Sequence, residues 1–210
     1  MKNLIVTTLA LLLSLNIAFS QDDSTRLMKK VEYGLSIGHT FGNLIASDPD
    51  TPISIGTLDG IHTGILAKIN FSDKVSLIPQ GRIYFRDGVI ESDSFFISEV
   101  KDLGHNEATI VIPIHIAYHP IGKKYGSPGL LIGPRYRYNI SKDNESDGFN
   151  NHQLSVDLGL SIDLVFPNFT LRPMLSYSRG ISNLLSPEST FEYGSKLKMH
   201  SYGITLQFFG

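Results

Sequence analysis

The chain has 210 residues, of which 41% are hydrophobic and 18% charged, and its mean hydropathy is +0.02. This length suits a single domain, and the moderate hydropathy excludes a membrane protein built from apolar helices. A formal net charge of −2 gives no bulk attraction to nucleic acid, and the absence of cysteine excludes a disulfide framework, a thiolate metal site and a cysteine nucleophile.

Residues 1–20 have the features of a secretory signal peptide. Lys2 precedes an apolar run of about 15 residues, which is shorter than the roughly 20 that a membrane-spanning helix needs. We expect cleavage after Ser20, with residues 21–30 as a polar periplasmic lead-in and residues 31–210 as the folded domain. A retained membrane anchor is the alternative.

Eight segments alternate apolar and polar residues with a period of two, which predicts β-strands with two chemically different faces. In chain order they are residues 31–41, 61–71, 75–86, 108–119, 130–139, 154–164, 170–178 and 201–208. The sixth alternates without an error from Leu154 to Leu164. At about 3.3 Å per residue and a tilt near 45°, it covers about 25 Å, the height of the apolar band on an outer-membrane barrel.

Long and short connections alternate between the predicted strands. The long ones are residues 43–60, 87–107, 141–151 and 180–199, and the short ones are residues 72–74, 120–128 and 166–169. This order predicts an all-β fold, an eight-stranded antiparallel up-and-down transmembrane β-barrel with short periplasmic turns and longer outer loops. The long connections carry 14 acidic and 4 basic residues, so we expect a negative outer rim.

Alternation alone does not decide which face of the barrel is apolar, because a soluble barrel such as a lipocalin alternates with its apolar face inward. Here the apolar face consists of large side chains, with tyrosines near the strand ends where a membrane interface would lie. The polar face mixes glycine and serine with long charged residues, which suits a narrow, filled lumen. We therefore expect the apolar face to contact lipid in the outer membrane.

Four prolines lie inside predicted strands: Pro79, Pro113, Pro134 and Pro173. A closed barrel has no free edge on which a residue without a backbone N–H is harmless. We expect β-bulges or local bends at these positions.

The polar face carries charges that would lie inside the barrel. They are Glu32, Lys68, Arg82, Arg86, Arg135, Arg137, Asp157, Asp163 and Arg172, six basic and three acidic residues. A tight hairpin at Pro167 and Asn168 would place Asp163 opposite Arg172, and pairing Ile140 with His152 would place Arg135 opposite Asp157. We interpret these residues as a network that fills a sealed lumen; a solute path or a binding site that favours anions is the alternative.

The histidines and serines do not form a catalytic or metal-binding pattern. His115 and His119 share a face, but four residues along a strand separate them by about 13 Å, too far for one metal ion. His200 and Ser201 are adjacent and so point to opposite faces, which rules out a nucleophile and base in contact. We expect no enzymatic activity, no metal and no cofactor.

Several short motifs lie at matching places along the predicted barrel. They are Ile112-Pro113-Ile114 with Tyr118, Gly133-Pro134, Asp157-Leu158-Gly159, and a last strand that ends Phe208-Phe209-Gly210. With these motifs the chain resembles the PorT-like outer-membrane β-barrel family of the Bacteroidota over about residues 30–210.

The resemblance implies an integral outer-membrane protein of a Gram-negative bacterium, some of whose relatives are accessory parts of the type IX secretion system. It also implies that the barrel-assembly machinery recognises the last strand. Three roles remain open: a structural or secretion-accessory barrel, a small porin, and an adhesion or receptor barrel that acts through its long loops.

Overall fold

The computed structural model describes residues 30–47, 52–89, 107–121, 126–140, 150–184 and 197–210. The expected signal peptide and nearly all of the expected lead-in lie outside these residues. The strands are β1 (Val31–Ser47), β2 (Pro52–Asn70), β3 (Val75–Val89), β4 (Glu107–Tyr118), β5 (Ser127–Asn139), β6 (His152–Val165), β7 (Thr170–Gly180) and β8 (Leu197–Phe209). Within the described ranges, no helix is long and apolar enough to span a bilayer.

The eight strands form a closed antiparallel barrel in sequence order. Each strand pairs with its neighbours along the chain, and β8 pairs with β1 to complete the cylinder. Closure leaves no strand edge exposed, so every strand has a partner on both sides. The predicted eight-stranded up-and-down barrel is confirmed.

The apolar face of the barrel is its outer face. Leu158 and Ile114 are 51% and 40% exposed, whereas Arg135 and Asp163 are 2% and 0% exposed. The same alternation holds along β8, where every second residue from Tyr202 to Phe208 is exposed and the residues between them are buried. A barrel with an apolar core and a polar surface is therefore excluded.

The wall is taller on one side than the sequence predicts. Residues 43–60 were expected to be an irregular loop, but β1 continues to Ser47 and β2 starts at Pro52, so only residues 48–51 connect them. Pairing of the two strands continues through this stretch, with one register shift between Leu44 and Ile45. The prediction of a long loop is wrong because the Asp, Pro, Ser and Gly that suggest a turn are held by cross-strand pairing.

The neighbouring strands β3 and β8 extend beyond their predicted bounds at the same end of the barrel. β3 continues to Val89, which pairs with Thr57, and β8 starts at Leu197, which pairs with Ala46. The strands β8, β1, β2 and β3 therefore form an extended sheet at the end of the barrel where the long connections lie. We call this end the loop end, and the opposite end, with residues 71–74 and 166–169, the turn end.

The in-strand prolines do not produce β-bulges. Each of Pro79, Pro113, Pro134 and Pro173 keeps its pair with one neighbouring strand, while the pairing on its other side skips two consecutive pairs. The register is the same before and after each gap, whereas a bulge would shift it by one residue. The expectation of bulges is wrong, because a missing N–H interrupts the pairing on one side only.

Glycines inside the strands let the strands of this narrow barrel approach closely. A Cβ atom at Gly133 would collide with the backbone carbonyl of Ile114, and one at Gly34 would collide with that of Phe208. Both clashes are with backbone, which cannot rotate away. These positions therefore require glycine for a steric reason.

Candidate functional site in the barrel interior

A cluster of four charged side chains crosses the lumen near the turn end. Arg172 donates from Nε and Nη2 to the two carboxylate oxygens of Asp163, at 2.5 and 2.8 Å. Lys68 Nζ lies 3.7 Å from Asp163 Oδ2 and 3.6 Å from Glu32 Oε1. Two cations thus alternate with two carboxylates, so the turn-end cluster is balanced in charge.

Two further side chains pack against the turn-end cluster. His119 Nε2 lies 3.2 Å from Asp163 Oδ2. The ring of Phe209, which points into the lumen, lies with its centroid 5.0 Å from Lys68 Nζ and 4.9 Å from Arg172 Cζ. Contacts of this kind attract a cation to the face of an aromatic ring. Both cations of the turn-end cluster therefore contact the aromatic ring as well as a carboxylate.

A second cluster, the central cluster, lies in the middle of the barrel. Arg82 donates from Nε and Nη2 to Gln80 Oε1, at 3.0 and 2.5 Å, and Gln207 Nε2 donates to the same oxygen at 3.2 Å. The amide nitrogen of Gln80 lies 3.0 Å from Nδ1 of His115. His115 Nε2 lies 2.9 Å from Asp157 Oδ2. The chain of bonds therefore connects β8 and β3 through β4 to β6.

This geometry fixes the protonation pattern of the central histidine. The Gln80 amide can only donate, so Nδ1 of His115 accepts, and the proton of the ring lies on Nε2 and points to Asp157. Arg135 Nη2 also donates to Asp157 Oδ2, at 2.9 Å. The carboxylate of Asp157 thus binds a guanidinium and a neutral imidazole together.

Towards the loop end the interior becomes less acidic. Arg82 Nη1 donates to the hydroxyl of Tyr84 at 3.4 Å, and the Tyr84 ring stacks on His62 with centroids 4.6 Å apart. Arg137 Nη1 lies 3.1 Å from Gln153 Oε1 and 2.7 Å from the sulfur of Met199. These contacts of Arg82 and Arg137 are therefore with uncharged side chains.

Positive charge is in excess in the central and loop-end parts of the lumen. The turn-end cluster has two cations and two carboxylates, whereas the rest of the described interior holds Arg82, Arg135 and Arg137 against Asp157 alone. Nε and Nη1 of Arg135 are buried without a hydrogen-bond partner among the residues that the structure describes. The interior therefore presents a positive potential to anything that enters from the loop end.

The described interior includes a small cavity near the loop end. A cavity of about 10 Å³ lies beside Arg137, Gln153 and Met199, which is room for about one water molecule. In the part of the chain that the structure describes, no three His, Asp or Glu side chains are grouped to hold a metal ion.

The structure brings together most of the predicted interior residues. Lys68, Arg82, Arg135, Arg137, Asp157, Asp163 and Arg172 are buried, and Glu32 is partly buried beside Lys68. The side chain of Arg86 lies outside the described part of the chain. Asp163 and Arg172 meet at the register that a tight hairpin at Pro167 predicts.

The predicted pairing of β5 with β6 is wrong by two residues. Tyr138, not Ile140, lies opposite His152, so Asp157 pairs with Gly133 and Arg135 with Ser155. The connection between these strands is long, so no tight turn fixes their register. Arg135 nevertheless reaches Asp157 diagonally, since a guanidinium on a long side chain spans the offset.

The uncharged members of the network are not among the predicted interior site residues. Gln80, His115, His119, Tyr84 and Phe209 all lie at inward positions, and they connect or cover the charged residues. The alternation of inward and outward positions along each strand indicates that most of them face the lumen. Phe209 was harder to find, because an aromatic residue at the end of an apolar strand suggests a lipid-facing position.

No protein-family model matches the chain, and no curated protein sequence matches it significantly. Solved structures similar to it include OprG from Pseudomonas aeruginosa, at 12% identity and a TM-score of 0.46, covering 85% of this chain and 92% of that one. Neisserial surface protein A has 12% identity and a TM-score of 0.47, covering 82% and 95%. Ail of Yersinia pestis has 13% identity and a TM-score of 0.43, covering 87% and 100%. Because these similarities are low, they do not assign the function of any of those proteins to this chain.

The outer surface of the barrel itself identifies its surroundings. Aromatic side chains lie on the outer face near both ends, Tyr33, Phe71 and Tyr118 at the turn end and Phe41, Phe85, Tyr138, Tyr177 and Tyr202 at the loop end. Tyr33 and Phe41 on β1 are separated by about 26 Å along the strand, or about 20 Å after strand tilt, comparable with the apolar band of outer-membrane barrels.

Between these aromatic belts the exposed side chains are mainly Leu and Ile on strand after strand. A continuous apolar surface of this extent is unstable in water and stable in lipid, and a closed barrel satisfies its backbone hydrogen bonds without water. The chain is an integral eight-stranded β-barrel of the outer membrane.

Proposed function

We propose that this protein is a non-conducting barrel with a structural or secretion-accessory role of the PorT-like kind. The observation that supports this proposal is the set of bonds that cross the lumen. Lys68 on β2 reaches Asp163 on β6, and Gln207 on β8 reaches Gln80 on β3. These side chains occupy the axis that a solute would follow, so the interior serves to brace the wall.

The bracing network also explains why so many charges are buried. A buried ion pair contributes little compared with an apolar pair, but loss of one partner leaves an uncompensated charge that costs about 3–5 kcal/mol. The network therefore specifies one arrangement of the eight strands. A rigid cylinder of this kind suits a platform on which other proteins assemble.

The surfaces that a partner would meet lie at the loop end. The extended sheet of β8, β1, β2 and β3 continues six residues beyond Phe41 on β1, about 20 Å along the strand. Strands outside the bilayer offer a defined surface that a partner can recognise. We propose that components of the type IX secretion system are the partners, and that the barrel-assembly machinery recognises β8.

Two experiments test the two halves of this proposal. Purified protein in a planar bilayer should give no steady conductance, and a stable open channel would contradict the sealed lumen. Deletion of the gene should remove proteins from the secreted fraction without changing permeability to small solutes. An unchanged set of secreted proteins would contradict the secretion role.

A complementation variant locates the partner surface. Replacing residues 45–54 with a two-residue turn shortens the extended sheet and leaves the membrane-spanning part intact. We expect this variant to assemble in the outer membrane and to fail to restore secretion. A matched change in the turn at residues 72–74 should restore it fully.

A small anion-selective porin is the second candidate, favoured by the excess of guanidinium groups in the central and loop-end parts of the lumen. Arg82, Arg135 and Arg137 would attract anions into the lumen. This role predicts conductance with a reversal potential that reports anion preference. Adhesion through the long loops is the third, and predicts surface binding that is lost when residues 87–107 are deleted.

A further inference from the structure

Three basic side chains lie together on the outer, lipid-facing side of β7 and β8. Arg179 and His200 are direct cross-strand partners, and Lys198 lies two residues from His200 on the same face. Arg179 and Lys198 both interact electrostatically with the His200 ring. We call these three residues the β7–β8 basic cluster.

The depth of this cluster in the membrane is set by two tyrosines. Tyr177 and Tyr202 belong to the loop-end aromatic belt, and Arg179 and His200 are the next outward residues beyond them. The hydroxyl of Tyr177 lies 2.6 Å from Nδ1 of His200. Since tyrosines of a belt sit at the level of the lipid headgroups, the cluster lies where the headgroups of the outer leaflet begin.

The cluster is local, because its surroundings at the same height are not basic. The long connections are mainly acidic, and on the neighbouring part of the wall Asp59 of β2 pairs in register with Asp87 of β3. The composition of the long connections therefore gives the rim no general excess of positive charge. Any anion that binds here is drawn by these three residues.

An apolar groove begins directly below the cluster. It has a volume of about 680 Å³, and it is lined by Tyr202 and Tyr177 at one end and by Tyr118 at the other, with leucine and isoleucine side chains of β4, β5, β6 and β7 between them. Its floor includes Leu131, Gly159 and Ser176, which occupy inward positions of their strands, so the floor is largely backbone. The groove crosses five strands, or about 19 Å at the usual strand spacing.

We propose that this surface binds one phosphate-bearing lipid of the outer leaflet. Its phosphate would contact Arg179, Lys198 and His200, and one of its acyl chains would lie in the groove. A guanidinium matches the geometry of phosphate oxygens, and an ammonium adds a compact positive charge. Neither feature alone requires a lipid, but a phosphate site at headgroup depth that continues into an apolar groove matches the two parts of a lipid.

The tyrosine contact fits this role. If the hydroxyl of Tyr177 donates to Nδ1 of His200, the ring carries its proton on Nε2, on the side away from the tyrosine. His200 then offers one N–H donor to an anion while neutral. Tyr177 positions that donor, and the two cations supply the charge.

The charge half of the site is tested by native mass spectrometry of the purified full-length barrel. The probes are a phosphorylated outer-leaflet glycolipid, the same glycolipid without its phosphate, and inorganic phosphate. We expect one phosphorylated lipid per barrel, and about thirtyfold weaker binding to the R179Q/K198Q variant, since each cation near a membrane surface contributes about a factor of five. Lys74→Gln, an exposed basic residue at the turn end, is the matched control and should bind as the unchanged protein does.

The apolar half is tested by filling the groove. Leu175→Trp places a larger side chain in its lining, and Ile83→Trp places the same side chain on the lipid-facing wall of β3, outside the groove. We expect Leu175→Trp to weaken lipid binding about tenfold and Ile83→Trp to leave it unchanged. Heat-modifiable gel migration verifies that each variant is folded.

Three results would overturn the proposal. The first is equal binding of the phosphorylated and dephosphorylated lipids. The second is binding of inorganic phosphate as tight as that of the lipid, which would make the site a free-anion site. The third is an equal loss in Lys74→Gln and in R179Q/K198Q, which would mean general attraction to the protein's positive charges.

Discussion

Asp163 and Arg172 face each other across β6 and β7 and form a two-point ion pair inside a barrel whose outside is lipid. The pair is buried, and Lys68 and His119 share the same carboxylate. Its position follows from a tight hairpin three residues away. A short turn in the sequence thus fixes a strong contact deep in the lumen.

Replacing one partner of this pair should be more damaging than replacing both. We expect Arg172→Met or Asp163→Asn to lower the free energy of unfolding by about 3–5 kcal/mol, because each leaves a buried charge uncompensated. The R172M/D163L double variant should recover part of that loss. Urea unfolding in detergent micelles measures it, with Lys74→Met as an exposed control; additive losses in the double variant would contradict a coupled pair.

Gln80 should stabilise the barrel, because its amide oxygen binds the buried guanidinium of Arg82. Its amide oxygen accepts hydrogen bonds from Nε and Nη2 of Arg82, so Gln80→Met leaves those two donors without a partner, at a cost of about 1–3 kcal/mol. Gln80→Glu keeps an acceptor and adds a carboxylate, so it should retain more stability at neutral pH than Gln80→Met. Equal stability of the two variants in urea unfolding would exclude this role.

Gly133 should tolerate no side chain, whereas Gly81 should accept one. A Cβ at Gly133 meets the backbone of Ile114, while one at Gly81 has its nearest neighbour, Ile65 Cγ1, at 4.0 Å. We expect Gly133→Ala to destabilise the barrel by about 1–3 kcal/mol or more, and Gly81→Ala to be neutral or stabilising. The fraction that migrates as folded barrel on an unheated gel compares the two.

The outer face should respond to charge according to depth. Leu158 lies near the middle of β6 and Ile61 near the loop end of the lipid-facing wall, and both are exposed. We expect Leu158→Arg to cost about 2–4 kcal/mol and Ile61→Arg about 0–1 kcal/mol. Unfolding in lipid bilayers measures both, and equal costs would argue against the assigned membrane position.

The sequence was sufficient for the fold and for the orientation of its faces. Strict alternation in β6 and the order of long and short connections determine the barrel, and the size and chemistry of Leu158 against Asp157 determine which side meets lipid. The register of β6 with β7 could also be predicted from the sequence, because a tight hairpin turn allows few geometries.

Three other features of the structure depend on contacts between distant residues, which a single sequence does not reveal. The extension of β1 and β2 through residues 43–60 is held by pairing between distant residues, against local turn propensity. The register of β5 with β6 is set by the closed cylinder as a whole. The β7–β8 basic cluster is spread over two strands whose connection is long, so Arg179 and His200 appear unrelated until the strands are paired.

The extended sheet of β8, β1, β2 and β3 means that the cylinder is not the same in all directions in the plane of the membrane. A round barrel with an even rim could sit beside a neighbour in any rotation about the membrane normal. In the part of the chain that the structure describes, the barrel wall is extended on one side, which gives it a distinguishable direction in the membrane plane. Proteins that attach to that side would hold every copy at the same rotation, and arrays built from it would have a common orientation.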